Sequence, residues 1–235
     1  MKPLKIVLCG AAGRMGLQVA ALIAGDERFA LVAGIDRSAG PSWKTPDSLP
    51  GALGQADALV DFSSPESSIA FVTEAARAGK PAVVGTTGFT KEQSERLKAA
   101  GKAIALLVSP NMSPGMNLMY ELVSRAAASL PRYDAAVTES HHTMKKDAPS
   151  GSAKRLVEAV QAGRKSDVPV PALSIRAGDI VGDHSVLFAG PGERLELSHR
   201  AHSREVFARG ALEAALWLRG RKPGAYTMRD FLGLS

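Results

Sequence analysis

The sequence predicts an α/β chain: a doubly wound parallel sheet joined to a second, α+β domain built on a mixed or antiparallel sheet. Compact apolar runs alternate with helical patterns from Leu4 to Val108, the texture of a parallel sheet covered on both faces. The first run opens directly into a glycine-spaced turn, Gly10-Ala11-Ala12-Gly13-Arg14-Met15-Gly16, that starts a helix. Beyond Pro131 the texture changes to short, partly alternating runs separated by Gly, Asp and His.

Leu4 to Cys9 is the first buried strand, the glycine turn follows, and a helical pattern runs through Leu17, Ala20, Ala21 and Ile23 to Gly25. Ala30 to Ile35 is the next strand and ends in Asp36-Arg37. Strand, glycine turn, helix, strand and terminal acid make a Rossmann-like βαβ unit that binds a dinucleotide. Gly10 permits the tight turn, Gly13 lets backbone approach a pyrophosphate, and Gly16 lets the helix close on the sheet. Asp36 suits the ribose hydroxyls of NADH, whereas Arg37 suits the 2′-phosphate of NADPH, so the sequence carries both signals. Asp57–Phe62, Ala82–Val84 and Ile104–Val108 are further strands. Ser63-Ser64-Pro65-Glu66 and Thr90 with Gln93 are helix starts. Gly85-Thr86-Thr87-Gly88 and Ser109-Pro110-Asn111-Met112 fall at strand C-terminal ends, where open α/β sheets bind ligands. Trp43 to Gly54 reads as a surface loop.

Ser113-Pro114 starts a long helix through Met119, Leu122 and Val123 to Leu130. Short strands are expected at Ala135–Thr138, Ser174–Arg176, Ser185–Phe188 and Leu195–Ser198, with a helix at Ala153–Ala162. Ser203 opens a last helix through Val206, Ala211, Ala214 and Leu218 that packs back on the first sheet. The expected division is residues 1–113 with 205–235 as the dinucleotide-binding domain and 114–204 as a substrate-binding and oligomerisation domain.

The stretch Glu139-Ser140-His141-His142-Thr143-Met144-Lys145-Lys146-Asp147-Ala148-Pro149-Ser150-Gly151-Ser152 concentrates two of the chain's five histidines beside a lysine pair and a helix start. Imidazole and ammonium groups move protons and grip anions near neutral pH. The expectation is a floor for a small acidic substrate, facing the cofactor's reactive end where the two domains meet. His141 and His142 are adjacent rather than spaced for a metal, and no HExxH pattern is present, so no metal is expected.

The net charge of +6 is spread along the chain, and its densest run, Arg219-Gly220-Arg221-Lys222, has no interleaved aromatics, which argues against nucleic acid. Cys9, the one cysteine, excludes an internal disulfide and sits in a strand as a small hydrophobe. Four apolar residues between Lys5 and Gly10 are too few for a secretory leader, and no apolar run approaches a bilayer span. A soluble, cytoplasmic protein without membrane partners is expected.

The residues resemble a known family. Gly10–Gly16, Gly85–Gly88, Asn111–Ser113, Arg176–Gly182, Gly192–Glu196, Ala215–Leu218 and above all Glu139–Ser152 are similar to 4-hydroxy-tetrahydrodipicolinate reductase, also called dihydrodipicolinate reductase. The resemblance implies NADH- or NADPH-dependent reduction of a cyclic imine dicarboxylate in lysine and diaminopimelate synthesis by a homotetramer. It implies dinucleotide contacts from Gly10, Ala11, Ala12, Gly13, Arg14, Met15, Asp36, Arg37, Gly85, Thr86, Thr87, Ser109, Pro110, Asn111 and Met112. It also implies His141 and Lys145 as the proton-transfer residues, with His142, Gly151 and Ser152 on the substrate. Asp36 stands where some members carry glutamate, which leaves the cofactor preference open.

Overall fold

The computed structural model describes residues 2–37 and 43–234. The chain divides into two compact units, Met1–Met112 with Glu205–Gly233, and Ser113–Arg204.

The first unit carries β1 (Leu4–Cys9), α1 (Arg14–Ala24), β2 (Phe29–Ile35), β3 (Trp43–Lys44), α2 (Leu49–Gln55), β4 (Ala58–Asp61), α3 (Pro65–Arg77), β5 (Ala82–Val84), α4 (Lys91–Ala100) and β6 (Ala105–Val108). The second carries α5 (Pro114–Ser129), β7 (Asp134–His141), α6 (Gly151–Arg164), β8 (Ala172–Arg176), β9 (Gly182–Gly190) and β10 (Glu193–Ala201). The chain then returns to the first unit with α7 (Glu205–Leu218), β11 (Gly224–Tyr226) and α8 (Met228–Phe231).

Among the described residues, seven strands of the first unit form one sheet, all parallel, in the order β11-β6-β5-β4-β1-β2-β3. The order reverses between β1 and β4, the place where such sheets bind ligands. Alternation along β1 builds a core on each face. Ile6 and Leu8 join α1 and α7 residues such as Val19, Ala211 and Leu212, while Val7 and Cys9 join Leu53, Ile69 and Val72 of α2 and α3. Burial raises the Cys9 thiol pKa, in keeping with a packing role.

The helix starts follow their sequence signals. Ser64, Thr90, Ser113 and Ser150 each accept a first-turn N–H with the side chain, and Thr90 with Gln93 completes a capping box. The expected loop at Trp43–Gly54 is corrected: it forms β3, a 3-10 turn at Pro46–Ser48 and α2. Pro50, Gly51 and Gly54 argue locally against a helix, but Leu49, Ala52 and Leu53 bury a 3–4-spaced stripe and tertiary packing prevails. β11 and α8 were not anticipated, although Thr227 and Asp230 do form a capping box.

The second unit has a mixed sheet, β10-β9-β7-β8, with β8 parallel and β9 antiparallel to β7. One face, with Val137, Val186 and Phe188, packs against Met116, Met119 and Val123 of α5 and Leu156 and Val160 of α6. β7, β9 and β10 each run longer than their apolar runs suggested, and the added residues include Glu139, His141, His184 and His199.

Candidate active site

In the first unit the glycine turn is dictated by close approach. Gly10 adopts φ +72°, and a Cβ there would meet the Phe62 carbonyl oxygen at 2.4 Å. A Cβ at Gly16 would lie 2.2 Å from the Gly10 carbonyl oxygen, so α1 can reach β1 only with hydrogen at that position. α1 differs from the serine- and threonine-capped helices: its N-cap is Gly13, with no side-chain cap and no acid in the first turn. Its first-turn N–H groups and dipole are thus available to an anion. Asp36 accepts from Ala12 N–H at 2.8 Å and from Arg37 N–H at 2.8 Å, pinning the end of β2 to the turn.

Gly10, Ala12, Gly13, Asp36 and Arg37 line a cavity of about 390 Å³ together with Phe62, Ser63, Ser64, Ser67 and Phe71. A cavity ringed by backbone N–H groups, hydroxyls, an acid and an arginine suits a phosphate-bearing dinucleotide. Of the other expected contacts, Ala11 and Met112 are core residues, Arg14 and Met15 form the first turn of α1, and Gly85, Thr86 and Thr87 follow β5. Ser109, Pro110 and Asn111 follow β6, where the Ser109 hydroxyl donates to the Asn111 carbonyl at 2.8 Å.

Sequence reading missed Asp61. This fully buried carboxylate ends β4 and accepts from Ser63 N–H at 3.1 Å, Thr86 Oγ1 at 2.9 Å and the Ser68 hydroxyl. Thr86 Oγ1 in turn accepts from Ser63 N–H at 3.0 Å. Burial raises the Asp61 pKa against these hydrogen bonds. The only sequence signal was an acid closing an apolar strand.

In the second unit, Glu139 and His141 share the inner face of β7. Register lines up Ser174, Glu139, His184 and His199 across the four strands, a polar row that with His141 and Arg176 closes one end of a face otherwise built of apolar residues such as Val137, Val186 and Phe188. Glu139 has no exposed surface; it accepts from Arg176 Nη2 at 2.8 Å and Nη1 at 3.1 Å, from Ser150 N–H at 3.3 Å, and is bonded to His141 Nδ1. Burial raises its pKa, but the Arg176, Ser174 and His141 hydrogen bonds overcome that and hold it at about 2. Burial lowers the His141 pKa, opposed by Glu139 and reinforced by Lys145 and Arg176. The His184 ring stands edge-on to His141 at 5.1 Å, and its pKa is depressed to about 4 by burial and by His141.

Lys145 lies in the loop after β7 and donates to Asp147 Oδ1 at 2.8 Å, which lowers the Asp147 pKa. His142 is turned away from His141 and approaches Arg204 Nη2 through Nε2 at 3.3 Å. Gly151 and Ser152 open α6 behind its cap, Ser150. His141, Lys145 and the α6 start are brought together through Glu139 and Arg176. The sequence singles out His141 and Lys145 and assigns Arg176 no role. Among the described residues, no helix is long and apolar enough to cross a membrane, and no three His, Cys, Asp or Glu side chains group as metal ligands.

A glycine turn heading a parallel sheet, an acid on the adjoining strand and a basic cluster on a second unit define the class of nicotinamide-dinucleotide oxidoreductases. Residues 4–112 match the family model for dihydrodipicolinate reductase, N-terminus, and residues 115–232 that for its C-terminus. Relatives named 4-hydroxy-tetrahydrodipicolinate reductase include those of Anaeromyxobacter dehalogenans, 40% identical over 98% of both chains, and Methanoculleus marisnigri, 42% identical over 98% of this chain and 99% of the other. Among solved structures, the dipicolinate-bound dihydrodipicolinate reductase of Paenisporosarcina sp. TG-14 superposes with a TM-score of 0.84 at 22% identity, covering 98% of this chain and 99% of that one. The chain belongs to the dihydrodipicolinate reductase family.

Proposed function

We propose that this chain is a 4-hydroxy-tetrahydrodipicolinate reductase, reducing a cyclic unsaturated imine dicarboxylate to tetrahydrodipicolinate in lysine and diaminopimelate synthesis. The observation that carries the reading is the cluster of His141, Lys145 and the α6 start, tied together by Arg176, in a chain whose two halves both match the family. NADH or NADPH, held by the glycine turn, Asp36, Arg37 and the loops after β5 and β6, supplies the hydride when bound.

Hydride addition to the conjugated imine leaves charge that a proton must quench. Lys145 donates that proton as an ammonium and stabilises the charge as it develops. His141 relays or orients the proton from its buried seat. The first-turn N–H groups at Gly151 and Ser152, at the positive end of α6, hold a substrate carboxylate with His142 beside it. Residues 1–113 with 205–235 serve the dinucleotide and 114–204 the substrate and self-association.

The oligomer is proposed as a homotetramer in the cytoplasm. Its supporting feature is the outer face of β8, where Leu173 is 62% and Ile175 48% exposed, an apolar pair suited to burial against another copy. The activity is tested by following NADH and NADPH oxidation with the freshly made condensation product of aspartate semialdehyde and pyruvate. Turnover with at least one cofactor is expected; no oxidation with either overturns the proposal.

A further inference from the structure

The 142–150 loop and β7 carry the proton-transfer groups, yet what fixes them in place lies on β8. Arg176 is the register partner of His141, and its guanidinium reaches in two directions. Toward β7 it grips both carboxylate oxygens of Glu139, Nη2 to Oε1 at 2.8 Å and Nη1 to Oε2 at 3.1 Å. Toward the loop it donates through Nε to the Lys145 carbonyl at 3.2 Å and through Nη2 to the Asp147 carbonyl at 2.6 Å. One planar cation thus sets His141, through Glu139, and the backbone that carries Lys145.

We propose that the Glu139–Arg176 pair is the positioning device of this reductase: Glu139 holds His141 as the Nδ1–H tautomer, leaving Nε2 to exchange the proton, while Arg176 keeps the Lys145 loop in register. The inference rests on the reading that His141 takes part in proton transfer. A carboxylate clamped by a guanidinium is an acceptor, so the imidazole nitrogen bonded to it carries the hydrogen. The opposite edge of the ring faces Gly182, where an added Cβ would come within 3.1 Å of Nε2. Glycine there leaves that nitrogen approachable. The charged and titratable groups around the imidazole are Glu139 on β7, Arg176 on β8, His184 on β9 and Lys145 from the loop, itself paired with Asp147. Glu139 is the one among them that favours the protonated ring. Tautomer control of this kind is how a carboxylate acts through a histidine it never leaves.

The test combines kinetics with ¹⁵N-histidine NMR on the intact protein. In wild type at neutral pH the ¹⁵N shifts of His141, assigned by its loss in His141→Gln, should report the Nδ1–H tautomer. In Glu139→Gln the ring should lose that bias, the kcat–pH limb belonging to His141 should move down by about one unit, and kcat should fall about tenfold or more with little change in KM. Glu139→Asp, which keeps the charge, should recover part of the loss. A wild-type Nε2–H tautomer overturns the proposal, whether or not Glu139→Gln folds. So does a folded Glu139→Gln enzyme with the wild-type pH profile while His141→Gln is inactive. Full turnover by His141→Gln removes instead the assignment of His141 on which the proposal stands.

Discussion

Asp61 illustrates how much one buried side chain decides. Its carboxylate draws Ser63 of the loop after β4, Ser68 of α3 and Thr86 of the loop after β5 to one point, and Ser63 also lines the cavity beside Gly10 and Asp36. Replacing it with alanine strands the Ser68 and Thr86 hydroxyls and leaves the Ser63 N–H with Thr86 Oγ1 alone, so Asp61→Ala should cost about 1–3 kcal/mol, read as a lower urea midpoint at unchanged slope. Dinucleotide affinity should fall with it, since Ser63 lines the cavity. The role was not legible in the sequence because Thr86 lies 25 residues away and nothing local joins the two. Glu139 was half legible. Its position two residues before His141 puts both on one face of a strand, but the sequence could not show that the face is closed or that Arg176 completes it.

At the scale of elements, the legible parts are those with local causes. Ser64, Thr90, Ser113 and Ser150 announce their helices because capping is a contact within one turn. The helix α2 was illegible because burial of Leu49 and Leu53 under the sheet, not local preference, creates it. The glycine turn falls between: its spacing was readable, and the structure adds which glycines are indispensable. A Cβ at Gly16 meets the Gly10 carbonyl at 2.2 Å, whereas one at Gly13 stands 3.2 Å from the same atom. Gly16→Ala should therefore destabilise the first unit by about 1–3 kcal/mol by pushing α1 off β1. It should also weaken dinucleotide binding at least about tenfold, and Gly13→Ala should disturb stability less. Thermal melts and fluorescence titration with NADH check both.

For the whole molecule, acidity is the informative variable. His184 has its pKa lowered from 6.5 to about 4, so the unfolded chain takes up that proton first and stability falls as pH drops through this window. His141 and His199, also lowered by burial, act in the same sense. Glu139, lowered from 4.5 to about 2, adds a loss that begins below about pH 4.5. Stability measured by urea at pH 7 and pH 5 should differ by up to about 2 kcal/mol on account of His184, and His184→Gln should flatten that difference. The proposed self-association is also tested at this scale. Leu173→Glu with Ile175→Glu should reduce the mass seen by light scattering if β8 lies in the oligomer interface.

In the proposed division of labour the dinucleotide sits on one unit and the proton chemistry on the other, and Lys145→Ala probes that division most directly. The variant should bind NADH or NADPH as wild type does, while its kcat on the cyclic imine falls about 10²–10⁴-fold, the range of a well-placed general acid. A Lys145→Ala enzyme that turns over at the wild-type rate would contradict it.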